Sequence, residues 1–440
     1  MADIVKKTED IKDSSIDTKD AKDVAAKDVK EKETSLSVTH EHEKKKQAFV
    51  TRTIWTIVMI AFFFTCLLSG HLALISVVFL LQTLTFKEII SLTAEPARDK
   101  KLPFNKLLNW YFLFATIYYL DSESFFNFFQ ESIYDNKILS LLAIHHKIIS
   151  YTSYIAGFIF FVATLQKGYY KFQFAQLCMT HTTLILVVFQ SHLIIDNILN
   201  GLIWFFLPVG LVIVNDIFAY LCGITFGRTQ LIAISPKKTV EGFVGAWVCT
   251  GLFALLFAFF LSKSSYLICP ATNLTTNIFN YPRCDPNPVF ISQIYQLPAN
   301  LVEIFHFETI SLKPIYIHAL NFATFASLIA PFGGFFASGL KRAFGIKDFG
   351  DTIPGHGGIT DRLDCQFFMG SFSYLYIQTF VSISHVNIGN LLQLAIMNLS
   401  IPQVVQLVKS LLKYLNNSGV VDDSKLTKIF EILDVTIENA

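Results

Sequence analysis

The chain of 440 residues is 52% hydrophobic and 15% aromatic, with a mean hydropathy of +0.48. So large an apolar fraction excludes an ordinary soluble domain and indicates a polytopic integral membrane protein. The formal net charge of +1 by itself says nothing about partners, and no nucleic-acid partner is expected.

Charge is unevenly spread along the chain. Of 35 basic and 34 acidic residues, 24 precede Thr53. Residues 1–50 alternate Lys with Asp or Glu and hold few large apolar side chains, too few to offset the entropy of ordering, so a disordered cytosolic tail is expected. The tail lacks the apolar core of a signal peptide. Lys44, Lys45, Lys46 and Arg52 stand directly before the first apolar run and favour a cytosolic N-terminus.

The apolar runs Ile54–Leu68 and Leu72–Leu84 are parted by a tight reversal at Ser69-Gly70-His71. The polar connection Pro96–Lys106 leads to Leu107–Leu120, then Ile148–Leu165, Phe174–Phe189 and Leu193–Phe226. The last run is too long for one crossing of ~20 residues and too short for two generous ones. Asn197, Asn200 and Gly201 are its candidate break points. Split there, the region holds seven pieces, whereas a cytosolic loop after Phe226 demands an even number of crossings, most simply six. Phe243–Leu261, Ile315–Ala337 and Phe367–Val381 complete an all-α bundle of about nine to ten transmembrane helices.

The connection 262–312 is expected to be lumenal. It carries the glycosylation pattern Asn273-Leu274-Thr275 and two cysteines, Cys269 and Cys284. Pairing in an oxidising compartment and two free thiols both stay open. The chain thus divides into a tail (1–50), an N-terminal transmembrane bundle (51–226), a catalytic transmembrane region (227–384) and an amphipathic C-terminal segment (385–440).

Two polar clusters interrupt this pattern. The first starts at Asn215-Asp216 and runs through Arg228 to Ser235-Pro236-Lys237-Lys238-Thr239 and Glu241-Gly242. Asp216 stands among Val212, Ile213, Val214, Ile217 and Phe218, and an acid at membrane depth marks function or a buried partner. Thr239 is placed to cap the helix that follows. Read alone, the lysines are a cytosolic topology signal.

The second cluster, Ser338–Asp364, puts eight charged groups within 27 residues: Lys341, Arg342, Lys347, Asp348, Asp351, Asp361, Arg362 and Asp364. Asp361 and Asp364, three apart, share a helix face and suit one hard cation, with Asp348 reaching the ion from the loop. Lys341, Arg342, Lys347 and Arg362 are donors for phosphate oxygens. Pro354-Gly355-His356-Gly357-Gly358 forms a turn whose bare amides can approach an anion. Each feature has a plain reading by itself: a topology signal, a solvated face, a turn. Their coincidence points to phosphoryl or nucleotidyl chemistry.

The set Ser338, Arg342, Lys347-Asp348, Pro354, His356-Gly357-Gly358, Asp361-Arg362 and Asp364 resembles the signature of the CDP-diacylglycerol synthases, also called phosphatidate cytidylyltransferases. No position departs from it. The likeness covers about residues 50 to 400 and is nearest the eukaryotic, endoplasmic-reticulum branch. The Ser235–Gly242 block resembles a second block shared by CTP-using membrane transferases. The resemblance implies conversion of phosphatidic acid and CTP to CDP-diacylglycerol and pyrophosphate. It implies Mg2+ on Asp361, Asp364 and Asp348, with a second cation such as K+. Lys347, Arg362 and His356 join the three aspartates as catalytic candidates. Ser338, Lys341, Arg342, Gly357, Gly358, Asn215, Asp216, Arg228, Ser235, Lys237, Lys238, Thr239 and Glu241 are the substrate-binding candidates. His356 is expected as a phosphate donor or a loop-fixing group rather than a base. A homodimer in the endoplasmic-reticulum membrane, with its site facing the cytosol, is also implied. A CTP-dependent lipid kinase and a transporter with a charged path remain as competing readings.

Overall fold

Apolar runs become helices in this chain because a bilayer leaves backbone groups no partner except one another. The computed structural model describes residues 46–47, 49–99, 102, 104–128, 141–142, 145–271, 276–281, 283–296, 308–381, 395, 399–419 and 428–430. The tail 1–45, the sequon Asn273-Leu274-Thr275 and much of the C-terminal segment 385–440 lie outside these residues.

Helix α1 (Phe49–Ser69) turns at Gly70 into α2 (His71–Asp99), which continues through Pro96 where a polar connection was expected. Helices α3 (Asn105–Phe128) and α4 (His146–Ala163) follow. Next comes α5 (Tyr170–Asn200), 31 residues that pass through a π-helical stretch at Leu184–Phe189. Here the structure departs from the expected segmentation. Gln190, Ser191 and His192 read as a gap between two runs, yet they lie inside α5. Gln190 and Ser191 are buried, and His192 Nδ1 lies 2.8 Å from Asp121 Oδ1 of α3. The chain then turns at Gly201 into α6 (Ile203–Phe226). Among the described residues, six long helices therefore precede the loop after Phe226, five of them apolar enough to cross a membrane.

A hairpin of β1 (Gln230–Ile232) and β2 (Ser235–Thr239) joins α6 to α7 (Val240–Leu261). The residues Ser235–Thr239 that lead to the start of α7 are strand. Thr239 caps α7 as expected, its Oγ1 accepting from Gly242 N at 3.2 Å. Beyond α7, Cys269 and Cys284 form a disulfide, and β3 (Gln293–Gln296) pairs antiparallel with β4 (Thr309–Leu312). Then come α8 (Ile315–Leu328), α9 (Pro331–Ala343) and α10 (Thr360–Phe380). Among the described residues, seven stretches are long and apolar enough to cross a membrane, α8 and α9 counting together. The more polar α3 and α10, at 24 and 21 residues, also match the ~30 Å hydrocarbon thickness. The body is all-α, and the two hairpins lie in its connections.

Packing joins early helices to late ones. Phe86 and Ile90 of α2 meet Leu108, Phe112 and Leu113 of α3, Phe161 of α4, and Leu184 and Val188 of α5. Asn197 Nδ2 donates to Gly370 O at 2.8 Å and Ser373 Oγ to Trp204 O at 3.1 Å, tying α10 to α5 and α6. Small polar side chains hold membrane helices together in this way. At one end of the bundle His71 meets Thr276 (2.7 Å), Ala271 N donates to Leu199 O and Ile278 N to Leu68 O. The signature segment lies at the other end of α2 and α10.

A second unit starts at Val381. Its helix α11 (Ile401–Asn417) starts with a capping box of Ser400 and Gln403. Val404, Val408, Leu411 and Leu415 recur at helical spacing on one face, with Lys409 and Lys413 on another, as the expected amphipathic character requires.

Candidate active site

The signature folds as the end of α9, a 16-residue connection and the start of α10. Its connection lacks regular structure because Pro354 and five glycines disfavour helix, and internal bonds hold it instead. Lys341 Nζ of α9 reaches Asp361 Oδ1 of α10 at 2.6 Å. The other oxygen of Asp361 accepts from Phe349 N at 3.0 Å and Gly358 N at 3.3 Å. Gly355 and Gly357 take φ of 79° and 82°, the left-handed region that favours glycine, and Ile353 N donates to Gly357 O at 3.0 Å. Arg362 Nη2 folds back onto His356 O at 2.9 Å. Beneath the loop, Ile89, Val187, Ala337, Phe349 and Phe367 form an apolar floor drawn from α2, α5, α9, the loop and α10.

The sequence candidates separate into groups. Asp361 is the loop's internal anchor, its carboxylate occupied by Lys341 and two amides. Asp364 accepts from Cys365 N at 2.7 Å and lies within electrostatic reach of Asp216 and Lys341. Asp364 thus lies within electrostatic reach of a residue 148 positions earlier in the chain. Lys238 Nζ is 3.6 Å from Asp216 Oδ1. Asn215 beside it is buried, and its side-chain oxygen has no protein partner. Glu241 accepts from Arg228 N (3.0 Å) and from Thr229 N and Oγ1 (3.2 and 2.6 Å), so it closes the turn before β1. Ser235, Lys237 and Lys238 lie on β2. Ser338 is half-buried on α9, whereas Arg342, Lys347, Asp348 and Arg228 are exposed. Asp348 packs beside Gly357. The Nε2 of His356 lies 3.2 Å from Thr56 Oγ1 of α1, a loop-fixing contact.

Sequence reasoning missed three contributors from the first two helices. Thr56 meets His356, the side chain of Arg52 packs against Gly355, and Glu88 of α2 binds the loop directly. The signal that singled out Asp216 did not reach Glu88, which follows Lys87 just past the apolar run Leu72–Leu84.

Among the described residues, no three His, Cys, Asp or Glu side chains gather closely enough to hold a metal ion. A magnesium site needs fewer, since this ion commonly takes one or two carboxylates plus substrate phosphates and water. Asp364 and Asp216 offer such a pair, and their all-oxygen chemistry fits a hard divalent cation.

One face of α9 lines a groove of about 470 Å³ with Phe332, Phe335, Phe336, Gly339 and Leu340, overhung by Ile234 from the β1–β2 turn. Phe332 and Phe336 are exposed. The groove is apolar, and Lys341 and Arg342 stand at its polar end on the same helix.

Comparison with known proteins agrees with this geometry. Residues 50–380 match the Cytidylyltransferase family. The chain is 53% identical to the phosphatidate cytidylyltransferase of Saccharomyces cerevisiae over 403 residues, covering 92% of this chain and 88% of the relative. It is 43% identical to phosphatidate cytidylyltransferase 1 of Arabidopsis thaliana (81% and 85% covered) and 44% identical to phosphatidate cytidylyltransferase 1 of Homo sapiens (75% and 72%). With the whole helical body and both polar clusters inside the matched region, this chain belongs to the cytidylyltransferase family.

Proposed function

We propose that the protein joins phosphatidic acid to CTP, yielding CDP-diacylglycerol and pyrophosphate, at the cytosolic face of the endoplasmic-reticulum membrane. The observation that carries this reading is the convergence of Asp216 and Lys238 with Asp364 and Lys341 at one end of a membrane bundle. Relatives named for this activity support it.

An oxygen of the lipid phosphate attacks the α-phosphorus of CTP; a new P–O bond forms as the bond to the β-phosphate oxygen breaks and pyrophosphate departs. A phosphate monoester has a second pKa near 6, so at neutral pH it carries the needed electron pair without a general base. Repulsion between two polyanions is the main obstacle, and positioning is the main remedy. Lys341, held by Asp361, supplies a fixed cation at the centre. Arg342, Lys347 and Arg228 are exposed cations around it for the nucleotide's phosphates. Magnesium bound by Asp364 and Asp216 would neutralise phosphate charge there. The apolar groove along α9 suits an acyl chain of a substrate that arrives from within the bilayer.

Purified protein given phosphatidic acid, Mg2+ and CTP labelled at the α-phosphate should transfer label to lipid. Transfer of γ-label instead would establish a lipid kinase, and binding of CTP without any labelled lipid would overturn an enzymatic role.

A further inference from the structure

We propose that Glu88, on the second membrane helix, is a positioning residue for cytidylyl transfer that clamps the signature loop to the start of α10. The inference rests on the function proposed above.

Glu88 is buried, and both of its oxygens are fully engaged by the loop. Oε1 accepts from Thr352 Oγ1 at 2.5 Å and Ile359 N at 3.0 Å. Oε2 accepts from Thr360 N at 2.9 Å and Thr360 Oγ1 at 2.7 Å. Ile359 immediately precedes α10 and Thr360 opens it, where the first amides of a helix lack intrahelical partners and the dipole favours negative charge. A helix more than 260 residues earlier in the chain supplies the cap. The fit is close. A Cβ built on Gly358 would lie 2.8 Å from Glu88 Oε2, and one on Gly350 would lie 3.2 Å from Oε1.

Two carboxylates therefore share the loop. Glu88 holds residues 352, 359 and 360, while Asp361 holds 349 and 358 together with Lys341. The two sets interleave, so release of one loosens the other. Without Glu88, four donors lose their acceptor, the loop turns toward water, and the Lys341–Asp361 pair and Asp364 lose their alignment. Glu88 touches neither substrate; it acts through the groups that do.

The test uses full-length purified enzyme with phosphatidic acid, CTP and Mg2+. Glu88→Gln keeps the shape but turns an amide toward the donors. It should lower kcat at least about tenfold with both KM values within about threefold. Glu88→Asp, which keeps the charge, should recover part of the loss. Thr352→Val should cost about threefold, and Glu88→Gln/Thr352→Val should be no worse than Glu88→Gln alone. In Glu88→Gln, hydrogen exchange over 349–360 should rise about tenfold or more while α8 is unchanged. A kcat above half that of the parent, multiplicative losses in the double variant, exchange that rises throughout the protein, or unchanged exchange in the loop would each overturn the clamp. The exchange readout needs no turnover, so a parent that makes no CDP-lipid would overturn the assigned reaction without deciding the clamp.

Discussion

Lys341 and Asp361 form an ion pair at 2.6 Å with side chains only 15% and 9% exposed, joining the end of α9 to the start of α10. Removing one partner of such a pair strands the other, which costs on the order of 3 kcal/mol or more. Asp361→Asn and Lys341→Met are each expected to reduce CDP-diacylglycerol formation at least about 100-fold. The double variant should be no worse than the weaker single. Near-parental rates in either single variant would remove the pair from the site.

Asp364→Asn should leave the protein inserted but nearly inactive. The residual rate should need several-fold more Mg2+ for half its maximum, read from a magnesium titration after chelator treatment. An unchanged magnesium requirement would place the ion elsewhere.

Gly339 lines the α9 groove, and a side chain there would meet nothing within 4 Å. Gly339→Trp should therefore fold and fill the groove. It is expected to raise KM for phosphatidic acid about tenfold, on the order of 1.4 kcal/mol, while KM for CTP stays put. Equal effects on both substrates would argue against an acyl chain in the groove.

Cys269 and Cys284 close a loop of 15 residues, a cross-link worth about 3 kcal/mol by loop entropy. Cys269→Ser/Cys284→Ser should lower the unfolding temperature of detergent-solubilised protein and leave kcat at 25 °C within about twofold.

Deleting residues 2–40 is expected to leave kcat and both KM values unchanged, since α1 and its contacts with the loop start later, at Arg52 and Thr56. Loss of activity would show that the tail contributes to catalysis.

The site was legible where chemistry is local in sequence. Asp361, Lys341 and the glycine turn lie within one segment, and Thr239 caps the helix beside it. The helical, membrane-spanning character of the chain was also legible, because long apolar runs leave the backbone no other way to pair. Segmentation was not. Gln190, Ser191 and His192 look like a break until Asp121 and the neighbouring helices supply partners for a polar stretch inside α5. Glu88 stayed hidden for the same reason, because its four donors lie some 270 residues away and no spacing rule reaches so far. Glu241 shows the converse: it stands in a block that reads as substrate-binding, yet its carboxylate is spent on the Arg228–Thr229 turn.

The distance between Glu88 and its partners also orders biogenesis. Ile359 lies 271 residues after Glu88, which at about 5–20 residues per second takes a ribosome roughly 15–55 s to add. Until those residues are added, the Glu88 carboxylate lacks all four of the donors that hold it in the finished structure. The contact between α2 and the signature loop therefore forms only after Thr360 has been synthesised, so it belongs to the last steps by which the bundle is completed.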